Sequence, residues 1–233
     1  MITRQSTLLA LASAALATAF PASAVAQQDD VQSWSLVTAN ISLAENSRWF
    51  LYLEAQARLG DDVSRMERLL LRPAVGHRLS NGVDVFLGYA WTPTFMNTSY
   101  ESDFRGEHRV WQQAVIRHGG AGLFWQHRIR QEQRMIDETP GTSHRTRHLV
   151  RASTMPRQVG RIGVTGYHEL FITWNSVDGG PRSGFDRSRL FVGPYLTRDH
   201  VRYEAGYVGE YGRRFGDSDR ILHALLVSAN LAF

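Results

Sequence analysis

The chain has 233 residues, with 26 basic against 22 acidic side chains and no cysteine, which excludes a disulfide framework and thiolate metal ligands. Every basic residue is an arginine. These arginines alternate along the chain instead of gathering on an arm or a helix face, which argues against a nucleic-acid partner.

The first element in chain order is a leader. Arg4, the apolar run "LLALASAALATAF" and the small-x-small triplet Ala24-Val25-Ala26 predict a signal peptide over residues 1–26, cleaved to leave a single exported domain, 27–233. After it, no segment reaches the run of about 18 apolar residues that a spanning helix needs. What recurs instead is alternation over about ten residues broken by turn chemistry, the pattern of a transmembrane β-barrel. Strands are predicted near 34–43, 49–59, 67–79, 83–95, 107–118, 122–136, 144–155, 162–174, 186–197, 201–213 and 220–233.

The alternation also assigns faces. Over 49–59, Trp49, Leu51 and Leu53 share one side, with Tyr52, Glu54, Gln56 and Arg58 on the other. Over 67–79, Leu69, Leu71, Pro73 and Val75 oppose Arg68, Arg72 and Arg78; Val83, Val85, Leu87, Tyr89 and Trp91 continue the apolar side. A slip of one residue would turn arginines toward lipid, so the register is strongly specified. Trp49, Trp91, Trp125, Trp174 and Phe233 fall near strand ends on the apolar side, where interfacial aromatic girdles sit. Trp111 breaks the pattern by sharing the polar side with Glu107 and Arg109.

The loops alternate between tight ("SNG", "HGGAG", "RQVGR", "TRDH") and longer ("NTSYESDFRG", "DETPGTS", "NSVDGGPRSG", "RRFGDSD"). Short periplasmic turns and longer outer loops are the habit of outer-membrane barrels. Counted back from a periplasmic C-terminus, ten strands from residue 49 onward keep the phase, and 34–43 is left as an eleventh. Single-chain bacterial barrels are normally even, so either a twelfth strand exists or the first segment does not span. The fold class expected is therefore all-β: an antiparallel transmembrane up-and-down barrel of about 10–12 strands. The final strand sets Ile221, His223, Leu225, Val227, Ala229, Leu231 and Phe233 on one face and Ser228 and Asn230 on the other. An outward apolar comb ending in Phe233 resembles the signal read by the barrel-assembly machinery, and closing it on the first strand would remove an edge that lipid cannot satisfy.

"GLFWQHRIRQEQRMID" carries the densest charge. Its polar face holds Arg128, Arg130, Glu132 and Arg134. Same-face neighbours lie about 7 Å apart, so Glu132 is expected to pair with Arg130 or Arg134. Glu107 and Arg109 join from one adjacent strand, Arg145, Arg147 and Arg151 from the other, and Glu169 and Arg189 further round. These residues form the candidate site: a lumen lattice that either pairs off and fills the barrel, or draws small anionic solutes through surplus arginine.

The stretches "EHRVWQQ" (107–113), "RIRQEQR" (128–134), "RTRHLVR" (145–151), "YHELFITWN" (167–175), "DRSRLFVGPY" (186–195) and "YEAGYVGEY" (203–211) resemble the bacterial family catalogued as domain of unknown function 2490. The resemblance implies an exported outer-membrane barrel and supplies no catalytic residues. The sequence shows no GxSxG, HExxH or phosphate-cradling loop. His144 and His148 would sit about 13 Å apart on a strand, too far to share a metal. No enzyme activity, cofactor or metal is therefore expected. The expected location is the outer membrane of a Gram-negative bacterium, with lipid as partner. A barrel enzyme acting on lipid and an exported soluble ligand-binding barrel are the alternatives.

Overall fold

The computed structural model describes residues 28–96, 103–120, 122–155, 161–213 and 219–233. The expected leader over 1–26 lies outside the described residues, as do parts of the predicted loops at 97–102, 156–160 and 214–218. The strands are β1 (Gln28–Ser42), β2 (Trp49–Gly60), β3 (Arg65–Ser80), β4 (Val83–Trp91), β5 (Thr94–Phe95), β6 (Phe104–Arg105), β7 (Glu107–Gly120), β8 (Leu123–Ile136), β9 (Ser143–Thr154), β10 (Ile162–Thr173), β11 (Gly184–Arg198), β12 (Val201–Gly212) and β13 (Arg220–Ala232). Eleven long strands close into one barrel, each paired antiparallel to its neighbour in the chain. The short pair β5–β6 extends from β3 through Arg68 and Thr94.

The odd count answers the question of parity. When strands alternate up and down, the first and the last of an odd set run the same way, so closure needs one parallel pair. β1 and β13 supply it, with Gln28 opposite Arg220 and Asn40 opposite Ala232. Phe233 is tied into this seam: its N–H donates to the Asn40 carbonyl at 2.9 Å, and its carbonyl accepts from the Ser42 N–H at 3.0 Å. The first segment is thus a full strand, and it begins at Gln28 instead of residue 34. Residues 28–33 contain one apolar side chain, Val31, too few for alternation to register.

A second departure lies at 83–95, where the regular strand stops at Trp91. Pro93 lacks an N–H and cannot continue a ladder, so the chain bends through Thr92 and Pro93. The Thr92 N–H still donates to the Glu107 carbonyl, and the Pro93 carbonyl accepts from the Leu69 N–H.

One end of the barrel carries the turns at 81–82 and 199–200 and the connection 43–48, and β7 meets β8 and β9 meets β10 at this same end. The other carries 61–64, 92–106, 137–142, 174–183 and 213–219. The two-residue connections at 81–82 and 199–200 share the end expected to be tight, while 43–48 there is longer, 61–64 at the other end is short, and most of the predicted turn "RQVGR" lies outside the described residues. At the Asn81-Gly82 turn, Gly82 has φ +96°, and a Cβ there would lie 2.5 Å from the Arg117 carbonyl oxygen.

The pleat turns the chain inside out relative to a water-soluble domain, whose apolar side chains are mostly internal. Leu51, Leu53, Val75, Ile129, Val164, Val192, Leu225 and Val227 are exposed on the outer wall, and Leu87 is 60 % exposed. Trp49, Trp174 and Phe233 stand exposed near strand ends. The interior is charged, interrupted by two apolar wedges: Trp34, Phe191, Val208, Leu222, Ala224 and Leu226 on one side, and Phe50, Ala74, Phe86, Ala90, Trp111 and Val115 on the other. Trp111 does face inward. It fits because Gly88 lies opposite it on β4, where a Cβ would come within 2.4 Å of the indole.

Candidate functional site

Every residue of the predicted lattice points into the barrel. Glu107, Arg109, Arg128, Arg130, Glu132, Arg134, Arg145, Arg147, Arg151, Glu169 and Arg189 come from the five consecutive strands β7 to β11, so adjacency in the sheet makes one continuous charged wall. Glu132 is its centre and is fully buried. It accepts from Arg145 Nη2 at 2.5 Å and from Arg147 Nη1 at 3.0 Å, and guanidinium nitrogens of Arg109 and Arg130 lie 4.0 Å away.

Of the two same-strand partners within reach, Arg130 meets Glu132 only at 4.0 Å, and the close partners come from the neighbouring strand. Arg145 is the direct cross-strand partner of Glu132, and facing residues on neighbouring strands come closer than residues two apart on one strand. Arg134 instead bonds Glu107, which also accepts from Arg109 at 2.8 Å. Arg130 only approaches Glu132. Its Nε donates to Gln113 at 2.8 Å, its guanidinium covers the Trp111 ring at 4.3 Å, and its Nη1 and Nη2 are buried without a hydrogen bond.

Further round the wall, Glu169 accepts from Arg128 at 2.7 Å and Arg147 at 2.9 Å, with Arg189 at 3.6 Å. Glu204 holds Arg151 at 2.6 Å and Arg202 at 2.7 Å. Aromatic rings separate the like charges. Phe171 has four guanidiniums around it, those of Arg145, Arg147, Arg187 and Arg189, at 4.6 to 5.7 Å. Each such contact contributes about 0.5–2 kcal/mol when desolvated.

Sequence reasoning placed the site on β7 to β11 and left out Arg58, Arg68, Arg72 and Trp34, which complete the lumen from β1 to β3. Their inward phase was readable, but no dense charged motif marked them. Arg72 bonds Glu54, which also accepts from the Tyr52 hydroxyl at 2.7 Å. Arg58 lies 3.8 Å over the Trp34 ring.

Three cavities follow one another along the interior. A wide vestibule of about 730 Å³ opens at the short-turn end, a central cavity holds about 140 Å³, and a third of about 210 Å³ lies toward the long loops. Arg128, Arg151, Glu54 and Glu204 border both the vestibule and the centre. Arg58, Arg68 and Arg187 border both the centre and the long-loop cavity. Eleven arginines against four glutamates line the central cavity.

The outer wall holds paired polar groups as well. His168 and Ser188 hydrogen-bond at 2.7 Å, and Tyr207 meets His223 at 2.6 Å. A serine–histidine contact is part of a nucleophilic site, but a site of that kind needs a third group to orient the imidazole. Among the described residues, the other ring nitrogen of His168 has no hydrogen-bond partner.

An uncharacterized protein of Methylorubrum extorquens is similar to this chain, at 30 % identity over 225 residues, covering 95 % of this chain and 96 % of that one. No solved structure matches. The family model described as "Protein of unknown function (DUF2490)" matches residues 31–221, from Val31 within β1 to Ile221 at the start of β13. The closed eleven-stranded barrel with its arginine-rich interior is thus the architecture of a chain that belongs to the DUF2490 family.

Proposed function

We propose that this protein is an outer-membrane β-barrel whose lumen offers small anions a narrow, arginine-lined passage. The series of three cavities carries the reading, because they share wall residues from one end of the barrel to the other and the middle one is strongly basic. Rings of arginine lower the barrier for anions and raise it for cations.

Membrane location is supported by the inverted burial pattern and by closure. A strand of 12 residues tilted at about 45° rises about 28 Å, close to the roughly 30 Å hydrocarbon core of a bilayer. Closure leaves no sheet edge whose backbone groups lipid would strand. No helix among the described residues is long and apolar enough to cross a membrane, so crossing would fall to the strands. The outward comb of β13 and Phe233 suits recognition by the barrel-assembly machinery.

The test is single-channel conductance in planar bilayers under a salt gradient, using protein whose folding has been verified by heat-modifiable gel mobility. Steady anion-selective steps are expected. Arg128→Gln and Arg151→Gln, at the junction of vestibule and centre, should shift the reversal potential toward non-selectivity. A folded barrel that stays silent sinks the passage reading and leaves the lattice as a structural filling.

A further inference from the structure

We infer that the lumen holds a specific site for a phosphate group, inorganic or as a monoester, between Arg58 and Arg68 on the long-loop side of the central cavity. The inference deepens the anion reading of the same lumen and rests on it for the access route.

Arg58 on β2 and Arg68 on β3 are direct cross-strand partners, both facing inward. Like charges set opposite one another on adjacent strands repel. The three carboxylates among the described residues that line that mouth are already engaged. Glu67 accepts from Gln32 at 2.6 Å and lies 3.4 Å from Arg220. Asp186 is shared by Arg145 at 2.9 Å and Arg187 at 3.2 Å. Glu210 takes Arg187 at 3.0 Å and the Arg189 Nε at 2.8 Å. Among the described residues, neither Arg58 nor Arg68 has a carboxylate within ion-pair distance.

Their hydrogen bonds leave donors over. Arg58 gives Nε and Nη2 to a single acceptor, Gln56 Oε1, at 3.2 and 2.9 Å. Arg68 gives Nε to the Thr94 hydroxyl at 3.0 Å. Among the described residues, Arg58 Nη1 and both terminal nitrogens of Arg68 have no protein acceptor, and both side chains border the central and long-loop cavities.

The site is also pre-arranged. Arg58 is only 6 % exposed, held flat on Trp34 at 3.8 Å while Arg189 lies 4.8 Å from the same ring. Trp34 is itself fixed by donating its Nε1 to Gln32 Oε1 at 2.7 Å. The unengaged Nη1 of Arg58 and terminal nitrogens of Arg68 border a cavity whose described carboxylates are engaged elsewhere, and such donors suit the oxygens of a phosphate better than a halide, since guanidinium binds pairs of oxygens bidentately.

The test is isothermal titration of the folded full-length barrel in zwitterionic detergent micelles with inorganic phosphate and, separately, glycerol phosphate. Ionic strength is held constant with sodium chloride. Saturable binding of at least one of them at one site per barrel is expected, weakened at least tenfold by Arg58→Gln and by Arg68→Gln. Arg117→Gln, at the opposite end on Asp84, should leave it unchanged. If either site variant fails to refold, Arg68→Lys serves, because it keeps the charge and removes the fork. No saturable binding, equal displacement by chloride, or binding that survives both substitutions overturns the site. Micelles involve no flux, so binding by a barrel that does not conduct keeps this inference while removing the passage, and conductance without phosphate binding does the reverse.

Discussion

Glu132→Gln isolates the centre of the lattice. The native carboxylate has Arg145 and Arg147 at 2.5 and 3.0 Å and Arg109 and Arg130 at 4.0 Å. At an effective dielectric of about 20, each contact is a gross attraction of about 4–7 kcal/mol. Desolvation of buried ions offsets most of it, and removing one partner of such a cluster typically costs about 3–5 kcal/mol. Three of the four arginines keep another acid: Arg145 has Asp186, Arg147 has Glu169 and Arg109 has Glu107. Among the described residues only Arg130 is left with no carboxylate at ion-pair distance, and the charge of Glu54 still acts on it, which places the expected cost near the lower bound, about 3 kcal/mol. Urea unfolding in detergent, followed by tryptophan fluorescence and gel mobility, should show the midpoint falling by about 1.5 M for a slope of about 2 kcal/mol per molar. Glu204→Gln is the comparison: its carboxylate is buried too, but its partners Arg151 and Arg202 reach solvent and can rehydrate, so a smaller loss is expected. Adding Arg130→Met to Glu132→Gln should recover part of the loss. A Glu132→Gln midpoint no lower than that of Glu204→Gln would refute the reasoning.

Three further substitutions probe the wall, the packing and the seam. Leu87→Arg, on the outer face of β4, should cost about 2–4 kcal/mol when refolding is measured in liposomes; a water-soluble barrel would tolerate it, so an unchanged refolding yield speaks against the bilayer. Gly88→Val should lower thermal stability by about 1–3 kcal/mol or more through its clash with Trp111, and the loss should shrink when Trp111→Leu is added. The chain has no native cysteine, so Val37→Cys with Ala229→Cys, which face each other across the parallel pair, should oxidise to a disulfide seen as a gel shift under non-reducing conditions. Val37→Cys with Leu225→Cys should not, and the opposite result would mean that the seam has a different register.

Much of this architecture is legible in the sequence because a barrel wall obeys one local rule. Leu51, Glu54, Leu87, Arg130 and Val227 each declare a face by parity alone, and parity survives folding wherever the strand stays regular. What parity cannot encode is the ring's closure. The residues that join β1 to β13 are far apart in the chain, and nothing in "QDDVQS" announces a strand until Arg220 and its neighbours lie alongside. Pairing partners within the lattice were likewise hidden: Glu132 selects Arg145 through inter-strand register, which a single strand's pattern does not fix. Arg58 and Arg68 were visible as inward residues, but their lack of carboxylates emerges only once Glu67, Asp186 and Glu210 have been assigned to other arginines.

The parallel seam also gives the molecule a polarity that an even ring lacks. Gln28 and Ala232 leave the wall at opposite rims, Gln28 beside the long loops and Ala232 beside the short turns. Across a bilayer, a reporter placed just ahead of Gln28 and one placed after Phe233 would face different compartments. An even barrel would expose both to the same one. Impermeant labelling of intact cells would therefore mark one tag and spare the other, turning a parity of strand number into a direct readout of sidedness. The same readout would say which compartment meets the Arg58 and Arg68 mouth.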